Sequence, residues 1–188
     1  MFIQTETTPN PNTLKFLPGE PVFANSTADF RDASQAARSP LAARMFRLNG
    51  VVGVFYGHDF ISVTKDDTLD WGPIKPMVLG LIMDHFSQDT PLFNDGTNAG
   101  TVAAANLVLN ENDDETSKQI RELLDTRVRP AVAMDGGDIH FHSFADGVVY
   151  VQLQGACVGC PSSTLTLKAG IENMLRHYIP EVNEVRAI

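Results

Sequence analysis

Apolar side chains in the first half of the chain alternate in some segments and recur at helical spacing in others. Residues 13–17 alternate and are followed by Pro18 and Gly19, a pattern typical of a short strand that enters a turn. Two β-rich runs, 51–56 and 60–64, are separated by Gly-His-Asp, and this arrangement predicts a hairpin.

Two helices are predicted in the same half. Ser39 is a favoured N-cap and Pro40 a favoured first helical residue, and apolar residues then recur every three to four positions up to Leu48. The second helix is predicted from Trp71 to Phe86, with two prolines near its start and an apolar face expected to pack in the core.

The last 75 residues show a different order of elements. The pattern predicts an amphipathic helix, a hairpin, a second helix and a final strand. Their expected limits are 116–128 with a stop at Pro130, 139–144 with 148–153, 163–178 with a break at Pro180, and 182–188.

Between these halves, residues 88–113 are rich in Asn, Asp, Thr, Gly and Ala and show no sustained period. A stretch of this length without its own pattern is uncommon inside one compact domain. We therefore expect an N-terminal domain at 1–87, a flexible linker at 88–113 and a C-terminal domain at 114–188. Each domain is predicted to be a small α+β unit, with a small sheet covered by helices.

Composition narrows the classes of function. Hydrophobic residues make up 43% of the chain, which is enough for packed cores, and the net charge of −9 disfavours a nucleic-acid-binding protein. No apolar run approaches the length of a membrane span, and the first residues do not resemble a signal or transit peptide. With two cysteines only, a reducing compartment is expected, either a bacterial cytoplasm or the mitochondrial matrix for a processed form.

The two cysteines, Cys157 and Cys160, are the main candidates for chemistry. They lie in a glycine-containing loop between a predicted strand and a predicted helix, with Pro161 near the start of that helix and Ser162 or Ser163 as its expected N-cap. Peptide dipoles at a helix N-terminus are expected to lower the pKa of nearby thiols and to stabilise thiolates that bind a metal.

Other roles for this pair stay open from the residues alone. The cysteines could be unligated, or they could be the redox pair of a thiol–disulfide oxidoreductase, although the preceding hairpin differs from a thioredoxin-like βαβ unit. A zinc site would need two further ligands, and the candidate histidines are His58, His85, His140, His142 and His177.

A fourth possibility follows from counting ligands. A [4Fe–4S] or [2Fe–2S] cluster takes four thiolates, and two copies of the chain would supply them from Cys157 and Cys160. In a symmetric dimer the same loop of both chains meets at the two-fold axis. A cluster held by two ligands per chain should be easy to hand over, which suits a carrier.

Two sequence segments carry a resemblance to a known family. Residues 134–138 (MDGGD), followed by 153–163 (LQGACVGCPSS), closely resemble the NifU C-terminal, or Nfu-type, domain. Residues 8–16 (TPNPNTLKF) with Pro18 and Gly19 resemble the Nfu N-terminal domain. Together the two resemblances extend over both predicted domains.

The resemblance implies an iron–sulfur cluster scaffold or carrier rather than an enzyme. It implies Cys157 and Cys160 as ligands of one labile [4Fe–4S] cluster per homodimer, with [2Fe–2S] as a possible cluster type. Apo iron–sulfur proteins and upstream cluster-assembly proteins are the implied partners, and the N-terminal domain is expected to tune their recognition. From the residues themselves, 135–138 are expected to serve a structural role, and the Asn-Pro run at 8–12 is expected to form a rigid turn.

Overall fold

The computed structural model describes residues 2–24, 26–95, 114–159 and 161–188, and for residues 161–163 it describes the backbone alone. These residues form two α+β domains, as the sequence predicts, each with its own sheet. None of the described helices is long and apolar enough to cross a membrane.

The N-terminal domain contains a five-stranded sheet in the order β1-β2-β5-β4-β3, in which every neighbouring pair is antiparallel. Its elements are β1 (Gln4–Thr7), β2 (Thr13–Leu17), β3 (Ala28–Phe30), α1 (Ala33–Ala36), α2 (Pro40–Phe46), β4 (Val51–Tyr56), β5 (Ile61–Lys65) and α3 (Trp71–Ser87).

Local sequence signals explain the predicted elements of this domain. The Ser39 hydroxyl accepts a hydrogen bond from the Ala42 N–H, so the predicted cap and the Pro40 start of α2 are confirmed. The hairpin of β4 and β5 pairs Phe55 with Ser62, and α3 begins at Trp71 as expected.

The core of the N-terminal domain lies between one face of the sheet and helices α2 and α3. It is rich in aromatic rings: Phe30 lies 5.1 Å from Tyr56, and Phe23 lies 5.2 Å from Phe93, measured between ring centroids. Leu92 and Phe93 are both buried in this core, so its packing extends beyond the domain end that we expect at residue 87.

The opposite face of the same sheet is also buried, which is unusual for an antiparallel sheet with helices on one side. Lys15, Ser62, Phe55 and Asp29 are cross-strand neighbours on β2, β5, β4 and β3, and we call them the docking row. The C-terminal domain contacts all four residues of this row.

The C-terminal domain has a three-stranded sheet in the order β6-β7-β8, in which β6 and β7 are antiparallel and β7 and β8 are parallel. The helix α6 provides the crossover between the two parallel strands. Its elements are α4 (Glu115–Leu123), a π-helical turn (Leu124–Val128), α5 (Arg129–Met134), β6 (Gly137–Ala145), β7 (Val148–Gly155), α6 (Pro161–Tyr178) and β8 (Glu184–Ala187).

The first helical stretch of this domain continues past Pro130, where a stop is predicted. Proline lacks the N–H that an α-helix needs and its ring clashes with the preceding turn. The wider π-helical turn at Leu124–Val128 accommodates both effects, and α5 then runs to Met134. The predicted stop is therefore wrong.

Candidate functional site

The cysteine loop, which we define as residues 155–159, leaves the end of β7 directly after Gly155. Two backbone hydrogen bonds fix its shape: the Val158 N–H donates to the Gly155 oxygen over 3.2 Å, and the Ala156 N–H donates to the Gly136 oxygen over 3.2 Å. The Thr164 hydroxyl, on α6, donates to the Cys157 oxygen over 3.1 Å.

Residues 134–138 pack against this loop. Gly137 pairs with Gly155 across β6 and β7, and a Cβ built on Gly137 would lie 2.7 Å from Cys157 Sγ and 2.6 Å from the Gln154 oxygen. Only a residue without a side chain leaves room for the sulfur. The structural role expected for this motif therefore includes direct packing against Cys157.

Asp138, the last residue of the motif, is 3% exposed and bound on several sides. The Arg129 guanidinium donates to both of its carboxylate oxygens, over 2.9 and 2.8 Å, and His140 Nε2 lies 3.1 Å from Oδ2. Burial alone would raise the pKa of Asp138, but the hydrogen bonds and charge of Arg129, with His140, hold it well below its ordinary value. This carboxylate is a charged anchor within the C-terminal domain.

Cys157 itself is buried, with 7% of its surface exposed. Burial raises the pKa of its thiol to about 12, and the carboxylates of Asp135 and Asp138 add to the rise. The expectation of a lowered pKa is therefore wrong for Cys157 in this arrangement, because lost hydration and the two carboxylates both disfavour the thiolate. A thiol with a raised pKa is also unlike the reactive cysteine of a thioredoxin-like oxidoreductase.

Among the described residues, the other candidate ligands are not gathered around Cys157. Cys160 lies outside the described residues, and α6 begins at Pro161, so the serines at 162 and 163 are inside the helix and the prediction that one of them is its N-cap is wrong. Within the described part of the chain, no three His, Cys, Asp or Glu side chains form a group that could hold a metal ion. The five histidines considered for zinc therefore form no ligand set in the described residues. His85 is buried in the N-terminal domain, and His140 contacts Asp138. The other three are exposed: His58, His142 and His177.

Residues of the N-terminal domain contact the cysteine loop, and the sequence did not indicate these contacts. Asn10 is 4% exposed, and its side-chain amide donates to the Ala156 oxygen over 3.2 Å and to the Val158 oxygen over 3.3 Å. These two carbonyl groups flank Cys157 in sequence. The Asn-Pro run is a turn, as predicted, but it also reaches the candidate site.

The docking row continues this contact across the sheet. The Ser62 hydroxyl donates to the Gly136 oxygen over 2.7 Å, and the Lys15 ammonium donates to the Met134 oxygen over 3.4 Å. The Asp29 carboxylate accepts a backbone hydrogen bond from Gly155, and a Cβ on Gly155 would lie 3.0 Å from Phe55 Cγ. The row therefore touches both segments that surround Cys157.

Thr27 forms a third point of contact between the domains. Its hydroxyl lies 3.2 Å from Asp138 Oδ2, to which it donates, and 3.3 Å from both His140 Nε2 and Gln154 Oε1. The polar network of Asp138 thus includes a residue from the N-terminal domain. A sequence signal for this contact is missing, because a single threonine between a turn and a strand has no distinguishing pattern.

A cavity of about 600 Å³ borders Cys157 and Ala156. Its lining is mainly apolar and comes from the helices of the C-terminal domain, with Pro9 from the N-terminal domain at one wall. The lining includes Val128, Leu167, Ile171 and Met174, and the polar residues Arg127 and Asp135. The environment of Cys157 is therefore shaped by both domains.

Comparisons with known proteins match both domains. The family described as "Scaffold protein Nfu/NifU N terminal" matches residues 3–89, and the family described as "NifU-like domain" matches residues 120–186. The human protein named "NFU1 iron-sulfur cluster scaffold homolog, mitochondrial" is 51% identical over 189 residues, covering 100% of this chain and 72% of its own length. "NifU-like protein 5, mitochondrial" of Arabidopsis thaliana is 50% identical over 187 residues, covering 98% of this chain and 67% of its own length.

Proposed function

Because the chain belongs to the Nfu-type family of iron–sulfur cluster scaffold proteins, we propose that it carries one labile [4Fe–4S] cluster between two copies of itself. Cys157 and Cys160 of each copy are the ligands, and apo iron–sulfur proteins receive the cluster. The cluster is the cargo of this reaction, and the chain acts as a carrier rather than as an enzyme.

The number and position of the cysteines carry this proposal. The whole chain has two cysteines, three positions apart, whereas a [4Fe–4S] cluster takes four thiolates. One copy thus offers half of the ligands, and a symmetric dimer offers all four from one type of loop. A [2Fe–2S] cluster has the same ligand count and is the variant form of the proposal.

Delivery proceeds by ligand exchange. A client cysteine loses its proton to the solvent, its thiolate forms a bond to iron, and the bond from iron to Cys157 breaks as Cys157 takes up a proton. Repetition at the remaining ligands moves the cluster without any change in electron count. Burial of Cys157 in the empty chain raises the pKa of its thiol, and a raised pKa favours the proton uptake in this last step.

The test is anaerobic reconstitution of the full chain with iron and sulfide, followed by iron and sulfide analysis and mass determination under native conditions. We expect about four irons per two chains and a dimer that forms only with the cluster. One cluster per chain, or no cluster, would overturn the proposal.

Single serine substitutions supply the second arm of this test. Cys157→Ser and Cys160→Ser should each abolish stable cluster binding, because the dimer then loses two of its four ligands. Ser87→Ala, at the end of α3 in the N-terminal domain, is a control that should bind like the parent. Dithiol exchange activity in the absence of any cluster would favour the oxidoreductase instead.

Partners and compartment follow from the same chemistry. Upstream assembly proteins must load the cluster, and the clients must present free thiols, so both steps need a reducing compartment. The two relatives are named as mitochondrial, and we propose the mitochondrial matrix, or the cytoplasm for a bacterial form. Detection of the native chain in an oxidising compartment would contradict this.

A further inference from the structure

We propose that the N-terminal domain is a removable cover on the cysteine loop. In the empty chain it holds the loop with Cys157 turned inward, and it leaves when the loops of two chains come together on a cluster. The second half of this statement rests on the function proposed above, whereas the covering contact does not depend on it.

The first argument is where the cover touches the loop. Asn10 donates to the oxygens of Ala156 and Val158, which are the backbone groups on either side of Cys157. Its own side-chain oxygen accepts a hydrogen bond from the Asn12 N–H over 3.0 Å, so the side chain is fixed at both ends. A contact of this kind holds the conformation of the loop itself rather than a side chain on it.

The second argument is that the cover also holds the segment against which Cys157 packs. Ser62 donates to the Gly136 oxygen, and Lys15 donates to the Met134 oxygen. The loop and the 134–138 segment are thereby held against the same face of the N-terminal sheet. Cys157 lies between them with 7% of its surface exposed: its sulfur faces Gly137 and it packs in the core of the C-terminal domain, so the cover acts by holding the loop in this inward position.

The third argument is that a cluster and the cover need the same space. Four thiolates from two chains bind one cluster only if the two loops face each other with their sulfurs accessible. Asn10 is hydrogen-bonded to the backbone of this loop, and the neighbouring Pro9 lines the cavity that borders Cys157. A partner loop therefore has to displace the turn at residues 8–12.

The fourth argument is that the contact is built to be reversible. Its hydrogen bonds come from Asn10, Lys15, Thr27, Asp29 and Ser62, and these polar groups find water as a substitute when the domains separate, whereas Phe55 is the apolar member of the docking row. Each such bond adds little net stability because it replaces a bond to water. Interfaces between domains of one chain commonly have this polar character and permit movement.

The cover is tested by the accessibility of Cys157 in the empty full-length chain. Cys160→Ser leaves one thiol, whose alkylation by iodoacetamide is followed by mass spectrometry and normalised to the same chain in urea. We expect the folded chain to react at least about tenfold more slowly than the unfolded one. Adding Asn10→Ala should raise the rate about tenfold, the effect of losing one to two hydrogen bonds.

Asn94→Ala is the matched control. The Asn94 amide also donates to a backbone oxygen, that of Ala37, but this bond lies within the N-terminal domain. Equal rates for the Asn10 and Asn94 variants, or a folded parent that reacts as fast as the unfolded chain, would overturn the cover. If Asn10→Ala fails to fold in a urea titration, Ser62→Ala replaces it, with an expected rate increase of about fivefold.

A second measurement links the cover to loading. In the chain with both cysteines, Asn10→Ala should take up cluster faster than Asn94→Ala, because the cover no longer competes with the partner loop. Slower uptake or faster cluster loss would make Asn10 part of the holding site and overturn the cover. If neither variant nor the parent binds a cluster, the proposed function fails, and the alkylation rates still decide whether the cover exists.

Discussion

The two faces of the N-terminal sheet both contain fully buried residues, but the faces are chemically different. One face packs on α2 and α3 through apolar side chains such as Phe16, Phe30 and Tyr56. The other face presents the docking row, where Lys15, Ser62 and Asp29 bind backbone groups of the C-terminal domain. Burial alone therefore does not distinguish a permanent core from a contact that separates.

The difference lies in what each face loses on exposure to water. Exposing an apolar ring to water costs about 25 cal/mol of stability for each Å² of its surface, and no hydrogen bond to water offsets this cost. The polar groups of the docking row exchange protein partners for water at small net cost. The first face keeps the domain folded, and the second allows the domain to bind and leave.

The strongest test of this comparison replaces one phenylalanine on each face. Phe30 and Phe55 are 0% and 1% exposed, respectively, and they lie on neighbouring strands with opposite orientation. Phe30→Ala should lower the free energy of unfolding of the N-terminal domain by about 3–5 kcal/mol. Phe55→Ala should lower it by only about 1–2 kcal/mol while it increases the alkylation rate of Cys157.

Both losses are measured by urea unfolding, followed through the fluorescence of Trp71, the single tryptophan of the chain. Phe2→Ala, at a position 85% exposed, is the control and should change stability by less than about 0.5 kcal/mol. Equal losses at positions 30 and 55 would show that the two faces are energetically alike, against the comparison.

The next effect concerns the charged anchor beneath the docking contact. Asp138→Asn should destabilise the C-terminal domain by about 2–3 kcal/mol, since Arg129 then loses its buried partner. Circular dichroism in urea measures this. Asp125→Asn removes the other, half-exposed carboxylate of Arg129 and should cost less than about 1 kcal/mol.

The lowered pKa of Asp138 also predicts that the stability of the protein depends on pH. The folded pKa of Asp138 lies well below the ordinary value of 3.8, so its contribution is complete above about pH 5 and is lost as the pH falls through 4 and below. In the parent, stability should fall with acid over this range, and Asp138→Asn should flatten the decline. An unchanged slope would rule out Asp138 as the anchor.

A smaller effect is expected at the glycine beside Cys157. Gly137→Ala places a methyl group 2.7 Å from the sulfur and should cost about 1–3 kcal/mol while it increases the alkylation rate. In Gly170→Ala, the new methyl group meets no atom within 4 Å apart from the neighbouring backbone of α6, and this control should stabilise the helix by about 0.5–1 kcal/mol. If Gly137→Ala is alkylated as slowly as the parent, the burial of the Cys157 sulfur does not depend on the space beside Gly137.

The smallest effect belongs to Thr27. Thr27→Val removes the hydroxyl that donates to Asp138 and keeps the shape of the side chain, so the alkylation rate of Cys157 should rise about threefold. Thr68→Val, whose hydroxyl bonds to Asp66 within the N-terminal domain, should leave the rate unchanged. A rate increase in both variants would point to general loosening rather than to the domain contact.

Local patterns were sufficient to predict much of the fold. The cap and proline at Ser39 and Pro40 define α2 because capping depends on neighbours in sequence, and the alternation of 139–144 with 148–153 defines the hairpin of β6 and β7 for the same reason. The rule that proline ends a helix failed at Pro130, where the π-helical turn removes the conflict.

The candidate site was predictable only in part. Cys157 and the loop after a strand follow from local sequence, but the packing of Cys157 in the core of the C-terminal domain and the contact of Asn10 with Ala156, 146 positions away, do not. No periodic pattern encodes a contact over that separation, so the direction of the pKa shift was also predicted wrongly. The role of Cys157 and Cys160 as cluster ligands stays a prediction.

The Gly136 oxygen has a consequence for how the molecule changes state. It accepts hydrogen bonds from the Ala156 N–H, within its own domain, and from the Ser62 hydroxyl of the other domain. Since a carbonyl oxygen has two lone pairs, one bond persists after the other is lost. The start of the cysteine loop therefore stays hydrogen-bonded to its own domain when the N-terminal domain leaves, while the part held by Asn10 becomes free to change conformation.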